Sequence, residues 1–225
     1  MGSLERRERG RQELRRRILD AARDIFVANG YEAVTMRGIA ERIEYSPAAL
    51  YFHFRDKESL VRELIKNDVA TLLEGYRGLC GIQDPIERIR EHGQIYLDFA
   101  QSHPSHYRLL FMTDLSSAAE VGEPPAEGDV AIDGYAMLRS AVEAAIKSKT
   151  MRPDLTDPDL VVQTLWAGWH GVASLLIRRG RVRNINMRSF AEMGRLMIDT
   201  LIDGLCARST PRADRRGSGI LAAIA

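Results

Sequence analysis

The chain has 225 residues, 45% of them hydrophobic and 28% charged, with a formal net charge of +1; this excludes collagen-like, low-complexity and wholly disordered chains and allows one or two domains with a core that needs no staples. Cys80 and Cys206 are too few for a disulfide framework and lack partners at zinc-ligand spacing, which fits reduced thiols and a cytoplasmic protein. The near-neutral total conceals an uneven spread: residues 1–66 hold 14 Lys and Arg against 11 Asp and Glu, residues 67–205 hold 14 against 19, and residues 1–17 alone hold seven arginines against three glutamates. A basic end leaves a polyanionic partner open.

In chain order, residues 1–11 form a basic arm with Arg6, Arg7, Arg9 and Arg11 and no apolar stripe. Leu14, Ile18, Ala21, Ala22, Ile25 and Phe26 then recur at helical spacing as far as the stop signal Asn29-Gly30. Thr35 opens a short helix to Arg42, with Ile39 and Ile43 on one side. Ser46-Pro47, an N-cap followed by proline at the first helical position, starts another of about seven residues, to Phe52. Asp56 caps a longer helix through Leu60, Leu64 and Ile65 to about Leu79. Asp84-Pro85 begins the next, to about Gln101, and Pro104 begins one bearing Tyr107, Leu110 and Phe111. Residues 116–129, rich in Gly, Pro, Ser and Glu, read as a loop. Helices follow from about Ala131 to Thr150, from Asp157-Pro158 to Arg178-Arg179-Gly180, and from about Met187 to Cys206; residues 208–225 read as disordered.

The expectation is an all-α protein of about nine helices. Leu160 to Ile177 is 18 residues without a formal charge, at the length threshold for crossing a bilayer. Gln163, His170 and Ser174 interrupt it and no second apolar span accompanies it, so the reading is a helix facing a core on one side and a subunit partner on the other, with no membrane contact.

The three front helices form a helix-turn-helix pattern. The second and third are too short to be stable without packing on the first. In the third, Leu50 and Phe54 point toward the first helix, while Pro47, Ala48, Tyr51 and Phe52 face away. A solvent face of small residues plus tyrosine suits close approach to a duplex groove, where Ala or Pro can touch a thymine methyl. The residues Arg17-Ile18-Leu19-Asp20-Ala21-Ala22, Phe26, Gly30-Tyr31, Thr35, Ile39-Ala40, Ser46, Leu50-Tyr51-Phe52-His53-Phe54 and Lys57-Glu58-Ser59-Leu60 resemble the DNA-binding domain of the TetR-type transcriptional regulators. The run Leu165-Trp166-Ala167-Gly168-Trp169-His170-Gly171 resembles a Trp/His/Gly-centred C-terminal domain found in part of that family. One departure stands out: relatives carry glycine in the turn where this chain has Glu44, and a left-handed residue there costs about 1 kcal/mol.

The resemblance implies four regions: the arm 1–11, a DNA-binding domain 12–57, a ligand-binding and dimerisation domain 58–206, and a tail 207–225. It implies a homodimeric, ligand-responsive regulator, read as a repressor, on a pseudo-palindromic double-stranded DNA operator. Thr35 both caps its helix and offers its hydroxyl to a phosphate, Tyr51 and His53 lie at the phosphate backbone, and the helix from Ser46 enters a major groove. Lys57 stands at a helix N-terminus, where free N–H groups and its ammonium favour a phosphate. Pro47, Ala48, Ala49 and Arg37 are the candidates for reading bases, and the arginine arm for phosphate or minor groove. The effector, a small apolar or aromatic molecule, is expected among Tyr96, Phe99, Tyr107, Phe111, Met137, Gln163, Trp166 and His170. Phe190, Met193, Met197, Leu201 and Leu205 form the stripe expected at the dimer interface. His103 and His106 lack a third ligand, and no catalytic order or cofactor motif stands out, so no metal, cofactor or enzymatic role is expected. The rival reading is a helical small-molecule-binding protein or enzyme without operator function.

Overall fold

The computed structural model describes residues 3–113, 130–177 and 185–206. Over these the chain forms nine α-helices and two 3-10 turns, with no strand beyond an isolated bridge between Met151 and Cys206. The loop read at 116–129 and the tail at 207–225 lie outside the described residues.

The head consists of α1 (Ser3–Asn29), α2 (Met36–Arg42), α3 (Pro47–Tyr51) and the first half of α4 (Lys57–Tyr76). Its core is the expected stripe of α1 closed by the short helices: Ile18, Ala22, Phe26, Ile39, Ala40 and Leu50 are fully buried. Helices of seven and five residues do not hold alone. Their ends are fastened instead. Thr35 Oγ1 accepts from Gly38 N–H at 3.0 Å, and Ser46 Oγ accepts from Ala49 N–H at 3.3 Å. At the other ends, Arg17 donates to the Ile43 carbonyl and Arg15 to the His53 carbonyl, both at 3.1 Å, placing cations where helix dipoles favour them. Glu44 does adopt the left-handed conformation, with φ 61°. It is the C′ residue of a Schellman motif in which Tyr45 N–H bonds the Ala40 carbonyl at 2.9 Å and Glu44 N–H bonds that of Glu41 at 3.3 Å.

One expectation changes here. The basic segment read as an arm is continuous with α1 from Ser3 onward, with Arg6, Arg7, Arg9 and Arg11 exposed along it. A helix about 10 Å across does not enter a minor groove about 6 Å wide. In this form the arginines can serve phosphates, and the minor-groove route would require the segment to unwind.

The body is built on α5 (Pro85–Ser102), which meets the second half of α4, α6 (Pro104–Met112), α7 (Val130–Lys147), α8 (Pro158–Ile177) and α9 (Phe190–Leu205). Close approaches need glycine: a Cβ on Gly93 would lie 2.6 Å from the Trp169 ring, and one on Gly168 would lie 2.6 Å from Leu201. α8 is the one described helix long and apolar enough to cross a membrane by length and composition. Its inner side, including Val161, Leu165, Trp169 and Ala173, is buried in the body core.

Head and body meet at α1, α4 and α6. Asp68 of α4 is fully buried, and Arg23 of α1 grips it with Nε at 2.8 Å and Nη2 at 2.6 Å while also reaching Asp20 at 2.7 Å. His106 of α6 lies 3.1 Å from the same carboxylate. Leu109 of α6 belongs to the head's core, whereas its neighbour Tyr107 belongs to the body's. Asp68→Asn removes the charge that Arg23 is buried against. The expected loss is about 3–5 kcal/mol, to be read from the urea midpoint by circular dichroism; a loss below 1 kcal/mol would show the pair to be dispensable.

Candidate nucleic-acid interface and ligand cavity

A helical wheel on α3 sets Leu50, fully buried, opposite Ala48 and Phe52, both exposed. Around them Ser46, Pro47 and Tyr51 are also exposed and Ala49 is half-buried. The face therefore has a small centre rimmed by three rings: Tyr45 at 43% exposure, Tyr51 at 55% and Phe52 at 88%. Exposed aromatics so densely set are costly in water unless a partner covers them. Phe52 is expected from the sequence to face outward but not as a contact residue, and Tyr45 is a residue that the sequence reading missed. The left-handed turn at Glu44 swings Tyr45 out, and Phe52 lies one turn beyond Ala48 at the close of the helix.

The residues expected at phosphates gather around this face. Thr35 caps α2 and keeps an exposed side chain. His53 is half-buried, and burial first, then Arg11 and Arg15, push its pKa below the usual imidazole value, so it is neutral at pH 7. Lys57 opens α4, its Nζ 3.8 Å from the centroid of the Tyr31 ring and 4.0 Å from the Glu32 carboxylate. Behind it Asp56 caps α4 by accepting from Ser59 N–H at 2.7 Å, which together with Arg55 holds its pKa at about 2. Arg37 is exposed and paired with Glu41 at 2.9 Å.

In the body, a cavity of about 570 Å³ lies among α4, α5 and α7, lined by apolar Leu73, Leu79 and Met137 and by Arg77 and Arg88. A second, inner space of about 90 Å³ is walled by Tyr96, Phe111, Leu138, Val162, Trp166 and Trp169. Tyr76 and His92 line both, stacked at 4.1 Å between ring centroids. Of the eight ligand residues expected from sequence, Tyr96, Phe111, Met137 and Trp166 line these spaces. Tyr107 and His170 stand one layer behind, and Phe99 turns toward His103 and His106. Gln163 is exposed, with its amide 3.5 Å from the Tyr135 hydroxyl.

Behind the inner space runs a hydrogen-bond chain. Trp166 Nε1 only donates, and gives to the Tyr96 hydroxyl at 3.0 Å; the Tyr96 and Tyr107 hydroxyls share a hydrogen bond at 2.8 Å, and Tyr107 bonds His170 Nδ1 at 2.6 Å. Burial raises the Tyr96 pKa to about 12 and that of Tyr107 further, and lowers that of His170, so the chain carries no charge at neutral pH. Tyr76 and His92 have no such arrangement: among the described residues neither side chain has a hydrogen-bond partner, although they are 2% and 5% exposed. Trp169 Nε1, by contrast, is a fully enclosed donor without a partner, which costs about 1–3 kcal/mol. A signal for His92 existed in the sequence, since it and Tyr96 sit four apart on the inward stripe of α5.

Of the stripe expected at the interface, Phe190 is buried, while Met193, Met197, Leu201 and Leu205 are half-buried at the edge of the protomer's core, beside the buried line of Gly194, Ile198 and Ile202. The apolar groups of this region that face solvent are Leu160, Trp166 and Leu175 of α8 and Leu196 of α9, with exposed Ala167 between them. Spacing alone does not separate an inward stripe from an outward one.

Residues 18–64 match the bacterial regulatory proteins of the tetR family, and residues 89–201 match the tetracyclin repressor-like C-terminal domain, half of the chain. The chain is 34% identical over 112 residues to the HTH-type transcriptional activator FasR of Mycolicibacterium smegmatis, covering 49% of this chain and 51% of that protein, so it spans about half the length of this relative. Its fold matches that of the ketosteroid transcriptional regulator KstR2 of Mycobacterium tuberculosis, with a TM-score of 0.66 and 22% identity over 86% of this chain and 95% of that one. It also matches the transcriptional regulator FadR from Bacillus subtilis in complex with stearoyl-CoA, with a TM-score of 0.65 and 14% identity over 84% and 97%.

Burial lowers the His92 pKa to about 3. The unfolded imidazole, near 6.5, takes up a proton first as pH falls, so stability contributed by the neutral ring is complete above that value and drains away toward pH 3, at up to about 1.4 kcal/mol per pH unit. His92→Phe keeps the stack and removes the titration. Thermal unfolding at pH 7.5 and 5.0 is expected to show a smaller acid-induced drop in Tm for the variant; an equal drop would mean that His92 is not held neutral.

Proposed function

The chain belongs to the tetR family of bacterial regulatory proteins, and from that membership we propose that it is a homodimeric transcriptional regulator whose grip on an operator is set by a small molecule in the body. The observation that carries this reading is the outward face of α3, small at its centre, ringed by exposed aromatics and fixed at both ends. Two such helices, about 34 Å apart in a dimer, fit successive turns of a major groove. Thr35, Tyr51, His53 and Lys57 then set the register on phosphates, while Pro47, Ala48, Ala49 and Arg37 meet base edges. In this reading the free dimer represses from the cytoplasm, and effector binding releases it. No catalytic step is assigned.

The effector is placed in the cavity at α4, α5 and α7. Its volume falls within the range of small-molecule sites, and its wall pairs apolar groups with Arg77 and Arg88, which suits an amphipathic anion. FadR, a neighbour in fold, holds stearoyl-CoA. Transmission runs through α6, because Tyr107 ties it to the chain of hydroxyls beside the cavity while Leu109 sits in the head core. An occupant that shifts Tyr96 changes the seat of α6 on α1, so effector and operator favour different conformers.

Duplex selection followed by titration at several salt concentrations tests the reading. A pseudo-palindromic site retained at moderate salt supports it, and absence of any specific complex returns the protein to a binder without operator function. Lys57→Ala is expected to weaken binding to all duplexes and to cut the salt slope by about one. Ala48→Leu is expected to change sequence preference or block groove entry.

The solvent-facing apolar groups of α8 and α9 are assigned to the dimer. Leu201→Glu would also strike the contact with Gly168 inside the protomer, so Leu196→Glu is the sharper change. It is 68% exposed in the protomer and should leave helicity intact while yielding monomers by analytical ultracentrifugation. A variant that stays dimeric at micromolar concentration would place the interface elsewhere.

A further inference from the structure

The polar rings of the body divide into two sets. Trp166, Tyr96, Tyr107 and His170 satisfy one another in sequence. Tyr76 and His92 do not, although they are stacked, buried and positioned where the two spaces abut. Hydrogen bonds between these rings and the protein are absent among the described residues. Their polar atoms are not among the fully enclosed ones and line both spaces, so a pair without a protein partner at a cavity junction is placed to meet a ligand's polar group.

The chemistry of that group follows from the surroundings. The inner space, about 90 Å³, is walled by rings and aliphatic groups. It is smaller than the roughly 150 Å³ cavity known to admit benzene, so it takes only a short apolar end. The outer space holds Arg77 and Arg88. Arg88 donates Nε and Nη2 to the Ile82 carbonyl at 3.0 and 2.7 Å, which orients its guanidinium and leaves other N–H groups for an anion, and the exposed Arg77, paired with Glu74 at 2.9 Å, adds a second cation at the mouth. Between the two, Tyr76 stays protonated and His92 neutral, because burial opposes charge on each. A neutral hydroxyl and imidazole suit an uncharged acceptor.

We propose that Tyr76 and His92 are the specificity-determining station of the effector site, hydrogen-bonding an uncharged carbonyl that lies between a short apolar end in the inner space and an anionic end at Arg77 and Arg88. The proposal rests on the reading of this cavity as the effector site. It names a ligand class, short acyl compounds joined to an anionic carrier, and it predicts discrimination against long unbranched chains.

The test uses the full-length protein and three probes in isothermal titration calorimetry: isovaleryl coenzyme A, its thioether analogue with a methylene in place of the carbonyl, and stearoyl coenzyme A. Wild type is expected to bind the thioester about tenfold more tightly than the thioether and more tightly than the stearoyl compound. Tyr76→Phe and His92→Phe, which keep the stacked rings, are expected to bring the thioester-to-thioether ratio to near one while leaving thioether affinity unchanged. Equal wild-type affinities, no binding of the thioester, a preference for the stearoyl compound, or a ratio preserved in both variants would each overturn the proposal. Should a variant not fold, the wild-type comparison decides by itself. Operator binding by the same preparation is measured separately, so a failed regulator reading, seen as no specific duplex complex, is told apart from a failed carbonyl station.

Discussion

A buried carboxylate cannot be left without a cation, and in this chain the carboxylate of Asp68 is placed where three helices cross. Arg23 answers it with two parallel N–H bonds, the geometry in which guanidinium and carboxylate compensate most of their lost hydration. The net stability of such a pair is small, because desolvation nearly cancels attraction. Its consequence is registry. Rotating or sliding α1 on α4 by a fraction of a turn would strand a charge in the core, so the angle between head and body is narrowly set. His106 brings α6 to the same point, so α1, α4 and α6, through which head and body touch, are held together there.

The head shows how little local structure α3 possesses of its own. Five residues form it, its N-terminus is capped by Ser46, and the carbonyl at its far end is bonded by an arginine from α1. Arg15 lies 4.5 Å over the Phe54 ring while making that bond, so one side chain closes both the backbone and the core. Glu44 is the cost of the preceding turn. A left-handed non-glycine residue there gives up about 1 kcal/mol, and it sets Tyr45 beside the outward face. The face is rigid because the strain and the caps lie outside it.

The body balances satisfied and unsatisfied polarity. The chain from Trp166 to His170 is fully used and ties α8 to α5 and α6. Tyr76 and His92, a few ångströms away, are left open. Glycines at 93 and 168 let the large rings and α9 come close enough to build these walls. The apolar outer side of α8 remains, with Leu160, Trp166 and Leu175 left exposed by the described residues.

Caps, apolar periods and the stop signal at Asn29-Gly30 are local, one-dimensional features, and they were enough to give the helical class, the boundaries of most helices and the inward placement of Leu50, while the left-handed residue at Glu44 was implied by the resemblance to relatives that carry glycine there. The helix-turn-helix assignment was also legible, because its determinants lie within about fifty consecutive residues. Other features depend on segments far apart in sequence. That Arg23 is a core residue follows only from Asp68, 45 positions away. That the basic arm extends α1, that Ile198 and Ile202 of α9 are buried while Leu196 faces out, and that Phe99 turns from the cavity were settled by which surfaces met. Helical spacing fixes which residues share a face, but which face is covered, and which polar ring goes without a partner, is decided by the packing of the whole chain.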